Sequence, residues 1–356
     1  MALQLKNFSS AELAQLIFFR TFVNSNMNKY TMKRIILVAL TAWACTFAHA
    51  ELKVHFAFES LYSEVGNHTG TLHNGAELTT IGGLPVLSLG SDNGYFDMGS
   101  SVGEVVATLN DFTISTNVYI PSTTTLGHNG NFIYTFANST DIANVANGCI
   151  FFGANETRYT ICLTNYTAEH NVGPYYQFPT GAWHTLTYRQ NSNYGELFLD
   201  GELVAQKDIS INPRQLGNTR YNFLGRPCYQ GDVYLKDACY NDFRIYDNAI
   251  DDASIVSLTQ NLNVLNKDIY EAQIEDLMNS LTLGGNVYYD DIALPTSNES
   301  GITVTWSSSN ESVVSPTGLV TRPAYGQSNA QVTLTATFSK GNISKQKSFT
   351  VSIPAL

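Results

Sequence analysis

The stretch that decides the fold is residues 181–205, which read GAWHTLTYRQNSNYGELFLDGELVA. Side chains alternate with a period of two over residues 183–188, and residues 191–195 have the composition of a turn. The dipeptide Asp200-Gly201 is the pair that a type I′ hairpin favours, because both positions need a positive φ. The stretch therefore predicts three antiparallel strands in a meander, in a sheet with one covered face.

The same alternation recurs on both sides of this meander. Strand patterns are found at residues 54–58, 95–99, 112–120, 132–136 and 150–152. Turn signals separate these short segments, and helical periodicity is almost absent before residue 251. Such a series of short strands is typical of a β-sandwich. We therefore predict an all-β first domain.

A resemblance to a known family rests on the same region. Trp183-His184 opens a strand, the LFLDGELVA hairpin follows, and Leu224-Gly225-Arg226 and a closing strand at 241–246 come later. Together these motifs resemble the laminin-G-like, or concanavalin A-like, jelly roll over residues 51–260. The resemblance implies a jelly-roll sandwich. Function stays open, because lectins, adhesion modules and glycosidases share this fold.

Residues 281–356 have the pattern of a second, smaller β domain. The runs TWSSSN at 305–310, TGLVTRP at 317–323 and QVTLTATFSKG at 331–341 resemble the atrophied bacterial immunoglobulin-like domain. We predict that Trp306 is the core tryptophan of this small sandwich. A spacer role is expected for the module.

Residues 261–280 differ from both domains. Ile269, Ile274 and Leu277 recur at helical intervals, with acidic residues between them. We predict a short helix that joins the two modules. The predicted fold class is therefore all-β, with a concanavalin A-like jelly-roll sandwich and a small immunoglobulin-like β-sandwich joined by that helix.

Residues 1–50 have the pattern of a leader. Met32-Lys33-Arg34 is basic, residues 35–44 are apolar but too short to span a bilayer, and Ala48-His49-Ala50 is an A-x-A cleavage motif. We predict a signal peptide that starts at Met32 and is cleaved after Ala50, and hence an exported protein that is periplasmic, at the cell surface or extracellular. A genuinely extended basic region before Met32 and a lipid anchor at Cys45 are the alternatives.

The formal net charge is −11 at pH 7. Such an acidic surface repels phosphate backbones, so nucleic acid is not an expected partner. Neutral glycans and bound cations remain compatible with this charge. After the leader we find no stretch long and apolar enough for a membrane helix. We expect a monomer.

Four cysteines follow the leader, namely Cys149, Cys162, Cys228 and Cys239. An exported chain favours disulfides. Cys149 and Cys162 lie symmetrically about a turn at Asn155-Glu156, so we expect them to face each other across a hairpin. We predict the pairs Cys149–Cys162 and Cys228–Cys239, with four buried thiols as the alternative. Zinc is not expected, because the chain has no Cys-x-x-Cys spacing.

The first domain shows no catalytic motif. Glucanases with this fold resemble one another in a strand that carries Glu-x-Asp-x-x-Glu, and residues 51–260 lack that run. Glu196, Asp200 and Glu202 straddle a turn, where solvation is expected. A Gly-x-Ser-x-Gly nucleophile motif is also missing. We therefore predict a domain without catalytic residues.

Aromatic side chains in loops are the candidate ligand-binding residues. Sugars stack their C–H faces on aromatic rings and need polar partners for their hydroxyls. Tyr166, Tyr175, Tyr176 and Tyr229 lie in or next to predicted loops. Packing at the rim of the sandwich is the alternative role for these tyrosines.

The jelly-roll resemblance implies calcium as the one cofactor to consider. In that family, a carboxylate on the first strand and one that opens the last strand often converge on a cation. Glu59 and Asp242 occupy these places. The acidic cluster expected after the first strand is reduced to Glu64, Asn67 and His68.

We predict a secreted, lectin-like protein that binds a polysaccharide or other glycan and is non-catalytic in this chain. The two resemblances together imply an alternative, because such module pairs precede arabinan-degrading glycoside hydrolases in bacteria. The chain would then be the N-terminal accessory region of an arabinanase or arabinofuranosidase whose catalytic domain lies beyond Leu356. A surface adhesion module that binds protein partners is the third candidate.

Overall fold

The computed structural model describes residues 50–127, 129–138, 148–164, 166–298 and 300–356. Ala50–Leu356 forms one compact unit. The signal peptide predicted from Met32 lies outside the described residues except for Ala50, and it stays a prediction. In the part of the chain that is described, no helix is long and apolar enough to cross a membrane.

The larger domain is built from fifteen described strands. In chain order they are β1 (Leu52–Phe56), β2 (Thr71–His73), β3 (Glu77–Ile81), β4 (Leu84–Ser88), β5 (Tyr95–Asp97), β6 (Phe112–Tyr119), β7 (Phe132–Ala137), β8 (Cys149–Gly153), β9 (Arg158–Cys162), β10 (His170–Val172), β11 (Trp183–Asn191), β12 (Tyr194–Leu199), β13 (Glu202–Asp208), β14 (Tyr221–Leu224) and β15 (Cys239–Tyr246).

These strands form two antiparallel sheets. The first sheet has the order β13-β12-β11-β6-β15-β4-β3, with β1 also paired to β15, and the second has the order β10-β9-β8-β7-β14-β5-β2. Strands that pair in a sheet are often far apart in sequence. Strand β6, for example, pairs with both β11 and β15. This sandwich confirms the predicted jelly roll.

The main hydrophobic core lies between the two sheets. Leu186 and Tyr188 of β11 point into it, as their period-two spacing predicts. Tyr188 stacks on Tyr159 of the second sheet, with ring centroids 3.6 Å apart. Full burial of a side chain such as Phe243 stabilises the fold by roughly 1.5–3 kcal/mol.

The predicted hairpin at Asp200-Gly201 is confirmed. Both residues have positive φ, 53° for Asp200 and 82° for Gly201, as a type I′ turn requires. The Asp200 carboxylate also accepts a hydrogen bond of 2.8 Å from the backbone N–H of Thr185. The preceding turn is shorter than residues 191–195, because Asn191 and Tyr194 already pair across the strands.

The α-helices in the described residues are α1 (Ser100–Val106), α2 (Asp252–Ser257), α3 (Leu262–Leu265) and α4 (Lys267–Ser280). Helix α1 is not predicted by the sequence pattern, because its Gly and Val residues have low helix propensity. Val102 and Val106 are buried in the main core. Tertiary packing therefore holds this helix.

The prediction that the meander sheet has one covered face is wrong. Trp183, Thr185 and Thr187 of β11 point away from the main core, yet each is only 1% exposed. Trp183 lies in a cluster with Leu265 of α3 on the outer face of the sheet. The segment after the last strand therefore covers the second face.

A single asparagine fastens this covering segment. Asn266, only 1% exposed, accepts a hydrogen bond of 2.8 Å from the backbone N–H of Trp183. Its Nδ2 donates at 3.0 Å to the carbonyl of Trp183. The side chain thus satisfies both backbone groups of a residue at the start of β11.

The smaller domain contains β16 (Thr303–Ser308), β17 (Ala330–Lys340) and β18 (Ile343–Ile353), paired in that order. Trp306 is 9% exposed within its core, and its Nε1 donates at 2.8 Å to the carbonyl of Pro295. The predicted core tryptophan is therefore confirmed.

Helix α4 packs against both domains. Ile269 near its start lies against the cluster around Trp183, whereas Ile274 and Leu277 belong to the core of the smaller domain. The predicted boundaries 51–260, 261–280 and 281–356 stay predictions. Helix α4 contributes side chains to two hydrophobic clusters.

Candidate functional site

A cavity of about 430 Å³ opens on the outer face of the second sheet. Strands β7, β8 and β9 supply the side chains of Phe132, Phe151 and Arg158. Loops and a short 3-10 turn supply the remaining lining residues, Asn129, Gly130, Asn155, Tyr166, Glu169, Tyr229, Gln230 and Asp232. The cavity therefore combines aromatic rings, amides and charged groups.

Strand alternation explains the aromatic floor. Ile150 and Phe152 of β8 point into the main core, so Phe151 between them points outward. Its ring stacks on Phe132 with centroids 3.9 Å apart and an angle of 8°. Tyr229 meets the Phe151 ring edge-on, at 5.8 Å and 80°.

The loop that carries Tyr229 and Asp232 is held against the end of β7. The backbone N–H of Asn131 donates at 2.7 Å to the carbonyl of Val233. Gly130 has a φ of 92°, and a Cβ at this position would lie 2.3 Å from the Val233 oxygen. Only glycine permits this close approach of the two backbones.

Arg158 lies at the centre of the polar wall and is held by protein carboxylates. Its Nη1 donates to Glu169 Oε2 at 2.7 Å and to Asn171 Oδ1 at 2.6 Å. Its Nε lies 2.7 Å from Glu156 Oε2. The guanidinium stands 5.2 Å from the centroid of the Phe151 ring. These contacts neutralise and immobilise the cation.

Glu169 connects Arg158 to the aromatic wall. Its side chain is 14% exposed, and its Oε1 accepts a hydrogen bond of 3.1 Å from the Tyr229 hydroxyl. The ion pair with Arg158 fixes the orientation of the carboxylate. Glu169 is therefore a positioned hydrogen-bond acceptor at the cavity.

Asp232 lies in the same cavity without a cation. Burial, assisted by the negative charge of Glu169, raises the pKa of Asp232 to about 6. No Lys, Arg or His within the described ranges forms an ion pair with it at 4.0 Å or less. Its carboxyl group is thus available to a ligand as a donor below pH 6 and as an acceptor above it.

Three thiols lie beneath Tyr229. Cys149 and Cys162 are directly opposite on β8 and β9, which confirms that they face each other, and their sulfurs are 3.4 Å apart. Cys228 is buried in the same cluster. The hydrogen bond with Cys149 and burial raise the pKa of the Cys162 thiol, so the group stays protonated.

The structure confirms that Cys149 and Cys162 face each other, but its described residues contain no disulfide. All four described cysteines are free thiols. The pair Cys228–Cys239 is corrected, because Cys239 lies in the cluster of Trp183 on the first sheet and Cys228 lies in that of Cys149. The pair Cys149–Cys162 is corrected as well, because its sulfurs lie 3.4 Å apart, whereas the sulfurs of a disulfide are about 2.05 Å apart.

The structure brings two of the four predicted tyrosines together. Tyr166 and Tyr229 both line the cavity. Tyr175 and Tyr176 are 53% and 45% exposed but are not among its lining residues. Nine further lining residues were not predicted, among them Phe132, Phe151, Arg158, Glu169 and Asp232. The alternation in β7 and β8 carried the signal for the two phenylalanines, since their neighbours face the core.

The residues proposed for calcium do not fit a cation. Asp242 Oδ1 lies 2.5 Å from His55 Nε2 and accepts a hydrogen bond of 2.7 Å from Arg244 Nε. Burial raises the pKa of Asp242, but the hydrogen bonds from His55 and Arg244 lower it overall. Glu59 is exposed and lines a different, open pocket. A guanidinium already neutralises the carboxylate that calcium would need.

The remaining acidic residue after the first strand joins the same ion-pair network. Glu64 Oε2 lies 2.9 Å from His55 Nδ1. Across the described part of the chain, no group of three or more His, Cys, Asp or Glu side chains could hold a metal ion.

Solved structures with a similar fold come from several proteins. Domain 4 of AbnA, a GH43 extracellular arabinanase from Geobacillus stearothermophilus in complex with arabinotriose, is 16% identical, with a TM-score of 0.47, 59% coverage of this chain and 99% of that one. The binding domain of botulinum neurotoxin DC in complex with SialylT is 16% identical, with a TM-score of 0.45 and coverages of 83% and 73%. Trypanosoma rangeli sialidase is 12% identical, with a TM-score of 0.41 and coverages of 61% and 33%.

Family models match both domains of the chain, whereas no curated protein matches it. Residues 89–256 match the concanavalin A-like lectin/glucanases superfamily, and residues 283–356 match the atrophied bacterial Ig domain. The chain therefore joins a domain of the concanavalin A-like lectin/glucanases superfamily to an atrophied bacterial Ig domain.

Proposed function

We propose that the protein binds a carbohydrate in the cavity on the second sheet. The observation that carries the proposal is that the exposed Tyr166 ring and the carboxyl groups of Glu169 and Asp232 line one cavity, above the buried Phe132 and Phe151 rings. Aromatic faces accept the C–H face of a sugar ring, and fixed polar groups bind its hydroxyls. Both kinds of partner are present in one cavity.

The size of the cavity supports a small ligand segment. Its volume of about 430 Å³ falls within the range of roughly 300–1,000 Å³ that is usual for small-molecule sites. Tyr166, which is 57% exposed, stands beside the buried floor. Such a site suits a chain end or a short stretch of a glycan.

The proposal also includes export of the protein and a spacer role for the smaller domain. The leader pattern before residue 51 supports a protein that meets its glycan outside the cytoplasm. The smaller domain packs on α4. We assign it the role of a spacer.

Glycoside hydrolysis is the second candidate function, because two carboxyl groups share the cavity. Glycosidases use one carboxyl group as an acid and a second as a nucleophile or base. The raised pKa of Asp232, about 6, suits an acid. Glu169, however, accepts hydrogen bonds from both Arg158 and Tyr229, which favours a fixed binding group over a nucleophile.

Binding and hydrolysis are separated by measuring both with the purified chain. We expect retention on polysaccharide affinity gels without release of reducing ends from the same polysaccharides. Release of reducing ends that disappears in both Asp232→Asn and Glu169→Gln would establish hydrolysis instead.

The tyrosines provide a matched pair of variants for the location of the site. Tyr166→Ala removes an exposed ring at the cavity, and Tyr176→Ala removes an exposed ring outside it. Since an aromatic contact contributes roughly 0.5–1.5 kcal/mol, we expect Tyr166→Ala to weaken glycan binding about 3–10-fold. Calorimetric titration should show no change for Tyr176→Ala. The opposite result would move the site away from the cavity.

A further inference from the structure

The charged groups around the cavity are predominantly negative. Glu169 and Asp232 line it, and Glu156 stands behind it against Arg158. Among the described lining residues, Arg158 is the only cation. Two carboxyl groups therefore line the ligand space beside a single cationic side chain.

That single cation is already engaged by protein carboxylates. The Arg158 side chain is 15% exposed and is already paired with Glu156 and Glu169. Its Nη1 also donates to Thr160 and Asn171. A ligand carboxylate would have to compete with the carboxylates of Glu156 and Glu169 for this guanidinium, which also lies over the Phe151 ring.

Asp232 then determines which chemical groups of a ligand the cavity can bind. It has no cation partner within the described part of the chain, so its oxygens can accept hydrogen bonds from sugar hydroxyls. Hydrogen bonds to a charged acceptor are stronger than those between neutral groups. A carboxylate on the ligand would instead meet a like charge in a partly desolvated place, where repulsion is weakly screened.

Resting on the carbohydrate-binding function proposed above, we propose that the cavity selects neutral sugars and rejects sugars that carry a carboxylate, such as uronates and sialates. In this arrangement the hydroxyl groups of the ligand donate hydrogen bonds, and carboxylates of the protein accept them. Glu169 provides an acceptor whose orientation is fixed, and Asp232 provides an acceptor that has no cation partner.

The test compares neutral and acidic glycans on one array at pH 7.5, with the chain from Ala50 to Leu356. Oligogalacturonides and their methyl esters serve as a matched pair, because they share a skeleton and differ in charge. We expect neutral glycans to be the only strong binders, and esters to exceed the free acids at least tenfold. Equal or stronger binding of acidic glycans overturns the charge selection and leaves carbohydrate binding intact. Failure of the folded protein to bind any glycan overturns both.

Two variants show whether Asp232 is responsible. Asp232→Asn should lower the preference for neutral over acidic probes at least threefold, because the amide removes the like charge. Asp208→Asn removes the same charge from an exposed position on β13, outside the cavity, and should leave the preference unchanged. An equal effect of both variants would mean that net charge alone determines selectivity, and would overturn the assignment to this cavity.

Discussion

At the scale of single residues, Asp232 shows a conflict between stability and function. Burial and the neighbouring charge of Glu169 raise its pKa to about 6, above the ordinary value of 3.8. The folded protein therefore disfavours the ionised form. Groups held in such a state are common at functional sites, because a stable fold would otherwise avoid them.

This conflict makes a prediction about stability and pH. Because the folded pKa exceeds the unfolded one, the stabilisation is fully present below pH 3.8 and is lost as the pH rises through about 6. Asp232→Asn should therefore raise the free energy of unfolding at pH 8 by about 1 kcal/mol, after allowance for partial exposure. At pH 4 it should have little effect. Urea unfolding at both pH values measures this, and a destabilised variant at pH 8 would contradict it.

Gly130 shows a different constraint on the same site. The φ of 92° and the 2.3 Å separation between a built Cβ and the Val233 oxygen both require glycine here. The site therefore depends on a residue with no side chain, whose role is to let two loops approach. Phe132, Tyr229 and Asp232 would not share one cavity without this approach.

At the scale of secondary-structure elements, the segment from α2 to α4 serves as a third layer. Trp183 and Leu265 are each 1% exposed where this layer meets the first sheet. On the second sheet, side chains of β7, β8 and β9 instead form the floor of the cavity, beside which Tyr166 is exposed. The layer thus separates a structural face from a binding face.

The attachment of this layer can be tested at Asn266. Asn266→Ala removes two hydrogen bonds and leaves the buried N–H and carbonyl of Trp183 without their partners. Each such loss costs about 1–3 kcal/mol, so we expect a decrease of about 2–4 kcal/mol in the free energy of unfolding.

The matched control for that variant is Asn263→Ala, at an exposed position of α3. Chemical denaturation of both variants should show a change within about 0.5 kcal/mol for the control. Similar effects of the two substitutions would refute the attachment.

At the scale of the whole molecule, α4 joins two hydrophobic clusters into one compact unit. Ile274 is fully buried in the core of the smaller domain, and Ile269 packs on the other side against the larger one. A helix that belongs to both cores cannot unfold with one domain and leave the other unaffected.

Calorimetry tests this coupling. We expect the chain from Ala50 to Leu356 to unfold in one transition, and Ile274→Ala to lower the midpoint of that whole transition, since a large-to-small substitution in a core costs about 2–5 kcal/mol. Two transitions, of which Ile274→Ala shifts only one, would show that the domains are independent.

The amino-acid sequence by itself determined the features that depend on local patterns. Alternation with a period of two, the Asp200-Gly201 turn and the position of Trp306 all follow from neighbours along the chain. The all-β class, the helix at 267–280 and the facing pair Cys149 and Cys162 were predictable for this reason.

Tertiary structure alone decided which distant residues meet. The cavity joins Phe132, Phe151 and Arg158 from adjacent strands to Tyr229 and Asp232 from a loop far along the chain. The order of the strands and the pairing of Gly130 with Val233 create this neighbourhood. A one-dimensional pattern shows which face a side chain takes, but the contacts between strands set its partners, its burial and therefore its charge state.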